Sequence, residues 1–438
     1  MIRFCPLGDY VRIEHGFAFK GEFFSEVGHF VLLTPGNFYD EGGFRLRPGK
    51  DRYYVGEIPQ RYILNHGDVI VAMTEQAEGL LGSSALIPEA NRYLHNQRLG
   101  LLRVKKGKAD SRFLYYLFNT SLVRQQIRGS SSGTKVRHTS PERMYKVHVP
   151  LFPVEIQVKI ASILSAYDDL IENNKRRIAI LEKMAEEIYR EWFVRMRFSS
   201  YAKATEDKPA VGKSKGLPSG WAIQRLDSFC AKVTDGTHDT PKPQIEGVPL
   251  VTGKNLHNGR VDFADTYKIS EQDHLSISKR SGLTPFDILF SNIGTLGAMA
   301  VVTADINYSV KNVIIFKSKS PAHALYLYWT LRQQYHVDLM QAISSGASQQ
   351  FISLGVARGY KIISPAPEIL ESFGRLILPV HEMIQSLYDS MEKLTSIRDL
   401  LLPRLISGKL PVENLELPSN EKLASASSAL PQQGLAHA

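Results

Sequence analysis

The chain is written twice. In the first half, LLTPGNF (32–38) is followed by HGDVIVAMT (66–74), GLLG (79–82), SSG (131–133) and KVHVP (146–150). In the second half, LVTGKNL (250–256), PFDILFSNI (285–293), GTLG (294–297), SSG (344–346) and KIISP (361–365) follow in the same order. Asp68 and Asp287 each stand just before an apolar run. One such match could arise by chance, but five in order at close spacings imply two copies of one fold.

A long helical pattern follows each copy. In the first, Ile160, Ile163, Tyr167, Leu170, Asn174, Ile178, Leu181, Ala185, Ile188 and Trp192 step by three and four. In the second, Phe373, Ile377, Val380, Ile384, Leu387, Met391, Leu394, Ile397 and Leu401 do the same. One apolar seam on a helix ~60 Å long at 1.5 Å per residue needs a partner helix, and each is the obvious partner of the other. Asn174 either fixes register by a buried polar contact or faces solvent at a stutter. Pro379 is expected to bend or interrupt the second helix.

These patterns give the expected order. A first domain covers 1–152, a long helix 153–198, a polar flexible linker 199–220, a second domain 221–365, a second long helix 366–410, and a disordered tail 411–438. The domains read as mixed α/β (α+β). Single helices are expected over 112–127 and, in the equivalent place, 324–340. If the long helices pair antiparallel, a local pseudo-two-fold axis lies between them. Two related domains so placed would read two different half-sites across a fixed gap, the logic of a dimeric operator binder built in one chain.

Composition narrows the class. Hydrophobic residues make up 43% and charged residues 22%, as in ordinary globular proteins. Two cysteines supply neither a disulfide framework nor a zinc set, which points to a reducing compartment. The first residues lack the apolar core of a signal peptide, and no apolar stretch approaches a membrane span. The net charge is +9, and residues 1–150 hold 21 Lys and Arg against 14 Asp and Glu. That balance favours a polyanionic partner over a merely solvated surface.

Catalytic motifs are missing. There is no Asn/Asp-Pro-Pro-aromatic element for amine methylation, no HExxH, and no clustered carboxylates with a lysine for a nuclease metal. GSSSGTK (129–135) has the wrong spacing for a phosphate loop. No catalytic or metal-binding residue is assigned, and His238 reads first as a turn histidine capping its own loop.

Candidate DNA contacts are therefore cations, small donors and amides. In the first domain these are Lys20, Arg45, Arg47, Lys50, Arg52, Tyr53, Lys135, Arg137 and His138. The run FRLRPGKDRYY (44–54) interleaves bases and aromatics, as a DNA-facing loop or a solvated hairpin would. In the second domain they are Thr237, His238, Lys254, Asn255, His257, Arg260, Asn292, Thr295, Ser345, Gln349 and Gln350.

Several segments resemble the specificity subunit of type I restriction–modification systems. They are 150–198, TDGTHDTP (234–241), SNIGTLG (291–297), SSGASQQFISL (344–354) and LTSIRDLLLPRLISGKL (394–410), with GFAFKGEFF (16–24) resembling another common domain opening. The resemblance spans residues 1 to about 412. It departs from the pattern at two points: the second helix opens SPAPEIL, without the usual Gln, and the first half lacks the DGTH block. It implies two tandem target recognition domains, an antiparallel coiled coil, and double-stranded DNA as ligand. Two modification (methyltransferase) subunits are the implied partners, joined by restriction subunits. It also implies adenine-N6 methylation at a bipartite asymmetric site, and ATP-dependent cleavage when restriction subunits join. S-adenosylmethionine would belong to the modification subunit, ATP and Mg2+ to the restriction subunit, and no cofactor to this chain. Docking candidates are Tyr167, Asp168, Asp169, Arg190, Trp192, Phe193, Leu402, Arg404 and Leu405. For these, coil seam and solvated face are the competing readings. The implied location is cytoplasmic and prokaryotic, on the nucleoid. A self-contained methyltransferase or nuclease, and a coiled-coil scaffold without DNA, are the alternatives.

Overall fold

The computed structural model describes residues 3–75, 79–197, 217–345 and 350–413. The chain forms two compact units, 1–174 with 389–438, and 175–388. The unit boundaries cut each long helix near its middle, where the sequence places domain and helix end to end.

In the first unit a four-stranded sheet runs Val11–His15, Leu99–Val104, Val69–Ala72, Ser84–Leu86, each pair antiparallel. In the second unit Lys232–Asp235, Val313–Lys317, Ile288–Ser291 and Met299–Val301 repeat that order and sense. The repeated apolar blocks are thus the strands Val69–Ala72 and Ile288–Ser291. Every residue in both is buried, which accounts for unbroken apolar runs rather than alternation. Asp68 and Asp287 share a task. Asp68 accepts from the Asn65 amide at 2.9 Å and pairs with Arg103 at 3.0 Å. Asp287 accepts from the Thr284 amide at 2.8 Å and pairs with Lys317 at 2.7 Å.

The other repeated block, TPGN or TGKN, is a short 3-10 turn closed by a reciprocal cap. Asn37 Oδ1 accepts from the Thr34 amide at 3.0 Å, and Asn255 Oδ1 accepts from the Thr252 amide at 3.0 Å.

Each expected domain helix is broken in two, giving Ser111–Phe118 and Ser121–Gly129, then Pro321–Leu331 and Gln334–Ile343. In the first pair Thr120 stops continuity by capping a new helix, its hydroxyl accepting from the Val123 amide.

The first long helix is Val154–Tyr189, continued by a π-helical turn Arg190–Val194; the second is Pro367–Ile406. Pro379 does not interrupt it. The ring lies on an exposed stretch, where water can satisfy the freed carbonyl. The helices pair antiparallel within each unit. In the first unit Asp168 meets Arg398 and Asn174 meets Ser390. In the second, Tyr189 meets Phe373 edge to face and Trp192 meets it at a tilt. Asn174 is 7% exposed, and its amide donates to Ser390 Oγ at 3.3 Å, so it is a buried polar contact in the seam. The buried faces are Ile160, Leu164, Ile171, Ile178, Ala185 and Tyr189 on the first helix and Phe373, Ile377, Ile384 and Leu387 on the second. Leu170 and Ile397, expected in the seam, are exposed.

Of the expected linker, only 217–220 fall within the described residues. Of the expected tail, 411–413 are described, and Val412 is buried in the first unit's core beside Leu405 and Ile406. Residues 411–413 are thus described as part of that unit, and 414–438 lie outside the described residues.

Candidate nucleic-acid interface

In the first unit the capped turn at Thr34–Asn37 anchors the basic loop that follows. Asn37, itself buried, donates through Nδ2 to Asp51 Oδ1 at 2.8 Å, and Asp51 Oδ2 accepts from the Arg47 amide at 3.2 Å. That folds 47–51 back on itself, and Arg47, Lys50 and Arg52 line a cleft of about 780 Å³. Thr74, Asn96, Gln97, Arg98 and His138 line the same cleft. Among the described residues five cationic or titratable donors line the cleft, and Asp51, already occupied by Asn37 and Arg47, is the one acidic lining residue.

Of the first-domain candidates, Arg47, Lys50, Arg52 and His138 are brought together in one cleft. Lys20, Arg45 and Lys135 are exposed outside the cleft, Lys20 beside Glu22 at 3.8 Å and Arg45 over Tyr39 at 5.7 Å. Tyr53 and Arg137 are half-buried in strand pairs, opposite Val31 and Glu75 respectively, so neither lines the cleft. Arg98, Asn96 and Gln97 were missed. Their signal is the polar run HNQR between two apolar strands, which reads from sequence as an ordinary connection.

Two glycines, one in each unit, sit at equivalent close backbone crossings. Gly16 lies against the backbone of His95 and Asn96, and Gly236 lies against the backbone of Val310, each too close for a Cβ. The amide of the next residue bonds the same segment, Phe17 to His95 and Thr237 to Val310. The GFAF opening of the first copy therefore occupies the place of DGTH in the second.

In the second unit Lys254, Thr295, Ser345, Gln350 and Asn292 gather on linked backbone. Gly253 packs on Ser291 and Thr295, Ile293 bridges Phe351, and Phe351 bridges Ser345. Asn292 donates to the Ile352 carbonyl at 3.0 Å, while its Oδ1 is buried with no hydrogen-bond partner among the described residues. Lys254, Thr295, Ser345 and Gln350 are exposed. His257 is exposed on a separate hairpin, Leu256–His257 with Arg260–Val261. Gln349 lies outside the described residues.

Three second-domain candidates are withdrawn from the surface. Asn255 is 2% exposed and spent on its turn. Thr237 is buried, its hydroxyl accepting from the Asp239 amide at 3.1 Å. Arg260 is half-buried with its guanidinium over Tyr388 at 5.0 Å. His238 stays exposed but braced, one ring nitrogen on Asp235 at 2.8 Å and the other on Asn312 Oδ1 at 2.9 Å. Arg280, also missed, holds the other Asp235 oxygen at 2.6 Å. Burial pushes the Asp235 carboxyl up, but these bonds outweigh it and hold it below the usual carboxylate range.

The docking candidates divide similarly. Trp192 and Phe193 belong to the second unit's core and Leu405 to the first's, so they are not offered to a partner. Leu402 is partly buried against that first core. Asp168 is engaged by Tyr116 and Arg398, and Tyr167 is half-buried. Asp169, Arg190 and Arg404 are exposed, Arg190 paired with Glu186 and Glu187. The large apolar side chains left exposed on the long helices are others: Val158, Leu170, Ile180 and Met184 on the first, Leu376, Met383, Ile397 and Leu400 on the second.

Among the described residues, no group of three or more His, Cys, Asp or Glu is placed to hold a metal, and no helix is long and apolar enough to cross a membrane. Two copies of one mixed α+β recognition fold, each joined to a long helix paired with its counterpart, define a class of tandem readers. Residues 3–183 match the type I restriction modification DNA specificity domain. The chain is 27% identical over 323 residues to the type I restriction enzyme MjaIX specificity subunit of Methanocaldococcus jannaschii, covering 71% of this chain and 72% of that one. It is 23% identical over 443 residues to the EcoBI specificity subunit of Escherichia coli, covering 95% and 88%. A crystal structure of a type I restriction-modification system S subunit from M. genitalium shares the fold, with a TM-score of 0.60, 16% identity, and coverage of 93% and 96%. Residues 3–183 thus carry the DNA specificity domain of type I restriction–modification systems, and most of the chain is similar to the specificity subunits of such systems.

Proposed function

We propose that each recognition domain binds one half of a bipartite, asymmetric site in double-stranded DNA. The paired helices set the spacer and dock two modification subunits. The observation that carries this reading is the basic cleft of the first unit, built on a scaffold that the second unit repeats with different residues at the equivalent turns. A shared scaffold with divergent lining is what two different half-sites require. Phosphates would meet Arg47, Lys50 and Arg52; bases would meet other residues lining the cleft. In the second domain Lys254, Thr295, Ser345 and Gln350 are the corresponding surface.

The chain itself makes and breaks no bond in this reading. Adenine methylation is carried out by the modification subunits with S-adenosylmethionine, and cleavage, where restriction subunits join, uses ATP and Mg2+. The exposed apolar side chains of the long helices, Ile180 and Leu400 among them, offer the modification subunits a face that the antiparallel seam leaves uncovered. The complex works in the cytoplasm, on DNA.

The purified chain alone should transfer no methyl group from S-adenosylmethionine. Its complex with the modification subunits should methylate one bipartite sequence. Methyl transfer by the chain alone, or by the complex without sequence preference, would overturn the reading.

A further inference from the structure

The two recognition domains differ at one turn that lines the cleft. Between equivalent strands the second unit uses two residues, Lys311 and Asn312, running from Ser309–Val310 to Val313–Lys317. The first uses four, 95–98, running from Tyr93–Leu94 to Leu99–Val104. In the second unit both side chains are consumed locally, Lys311 on Thr240 and Asn312 on His238. In the first, the extra residues build a braced platform. His95 is 1% exposed and bonded to the Leu99 carbonyl at 2.9 Å. Gly16 backs the turn, and Asn96 Oδ1 accepts from the Arg98 amide at 3.3 Å.

Arg98 emerges from that platform into the cleft. Its guanidinium makes no hydrogen bond, ion pair or ring contact with any described residue. A fork of donors on a braced turn, in the same cleft as the basic loop, is placed to read rather than merely to attract. Arg47 and Arg52, on the basic loop, line the same cleft.

We propose that Arg98 determines specificity in the first recognition domain, donating in bidentate fashion to O6 and N7 of a guanine in its half-site. This rests on the DNA-reading function above.

The test uses the full chain with its modification subunits and fluorescence-labelled duplexes. These carry the mapped methylation site, each single-base variant of it, and an unrelated sequence, titrated across salt. Arg98→Ala should weaken binding to the cognate duplex by roughly 5- to 150-fold and abolish discrimination at one G·C position. The unrelated duplex and the salt slope should not change. Arg98→Lys keeps the charge but not the fork; it should fold, bind unrelated DNA as before, and discriminate less at that same position. If Arg98→Ala does not assemble, the lysine variant alone decides. Unchanged discrimination at every position in either variant overturns the assignment. A uniform loss on all duplexes, with the salt slope reduced by about 0.9 and restored by lysine, also overturns it, because that marks a phosphate contact. A wild-type complex that prefers no duplex would sink the DNA-reading function itself, a result separate from either of these.

Discussion

Asp168 on the first long helix accepts from Arg398 on the second at 2.7 Å, and the same carboxylate takes the phenol of Tyr116 at 2.5 Å. One side chain thus ties a recognition-domain helix, Ser111–Phe118, to the helix pair within the first unit. Asp168 and Arg398 are 29% and 26% exposed, so the pair is shielded more than a surface bridge yet not stranded in a dry core. A double-mutant cycle with Asp168→Ala and Arg398→Ala, read by denaturant unfolding, should return a coupling between about 0.5 and 3 kcal/mol. A coupling near zero would reduce the contact to surface decoration.

The two copies allow a controlled comparison of burial. Asp287 and its partner Lys317 are 1% and 19% exposed, Asp68 and Arg103 12% and 43%. Removing one partner of a buried pair strands the other, so Asp287→Ala should cost about 3–5 kcal/mol. Asp68→Ala should cost about 1 kcal/mol, because water can recover its arginine. Unfolding free energies of the two variants check this, and equal costs would contradict it.

Two histidines are held neutral by burial. His95 and His381 have their pKa pushed down to about 4, from an ordinary value near 6.5. The unfolded chain binds a proton that the folded chain refuses, so each histidine's contribution is present above about pH 6.5 and is lost as pH falls toward 4. The loss is on the order of 3 kcal/mol for each. His381→Phe should flatten the stability profile between pH 6.5 and 4 relative to the native chain. An unchanged difference across that window would show that His381 titrates normally.

Arg47, Lys50 and Arg52 are expected to act through charge. Replacing all three with alanine should lower the slope of log affinity against log salt by about 0.9 for each phosphate that is no longer neutralised. Discrimination among sequences should survive. Salt titrations of the assembled complex on matched and unrelated duplexes make the measurement, and a failure to discriminate at one base would reassign the residue responsible.

Much of this architecture is legible in the residues because duplication doubles the evidence. Asp68 with Asp287, and TPGN with TGKN, mark the same strand and the same turn in both copies. What the pattern hides is which way a periodic side chain finally faces. Trp192 and Phe193 continue the helical rhythm, yet a π-helical turn carries them into the second core. Asn255 looks like a base-reading amide, but its cap uses it up. Arg98 escapes notice because a two-residue difference in a connection has no periodicity, and only its tertiary surroundings show that it faces a cleft.

The burial of Val412 beside Leu405 and Ile406 bears on the order in which a ribosome can finish this protein. The second unit is one uninterrupted stretch, complete once Tyr388 has emerged. The first waits for residues synthesised more than two hundred positions after its sheet is made. The domain begun first is closed last, and a premature stop near the C-terminus would wound the N-terminal reader while sparing the one translated after it.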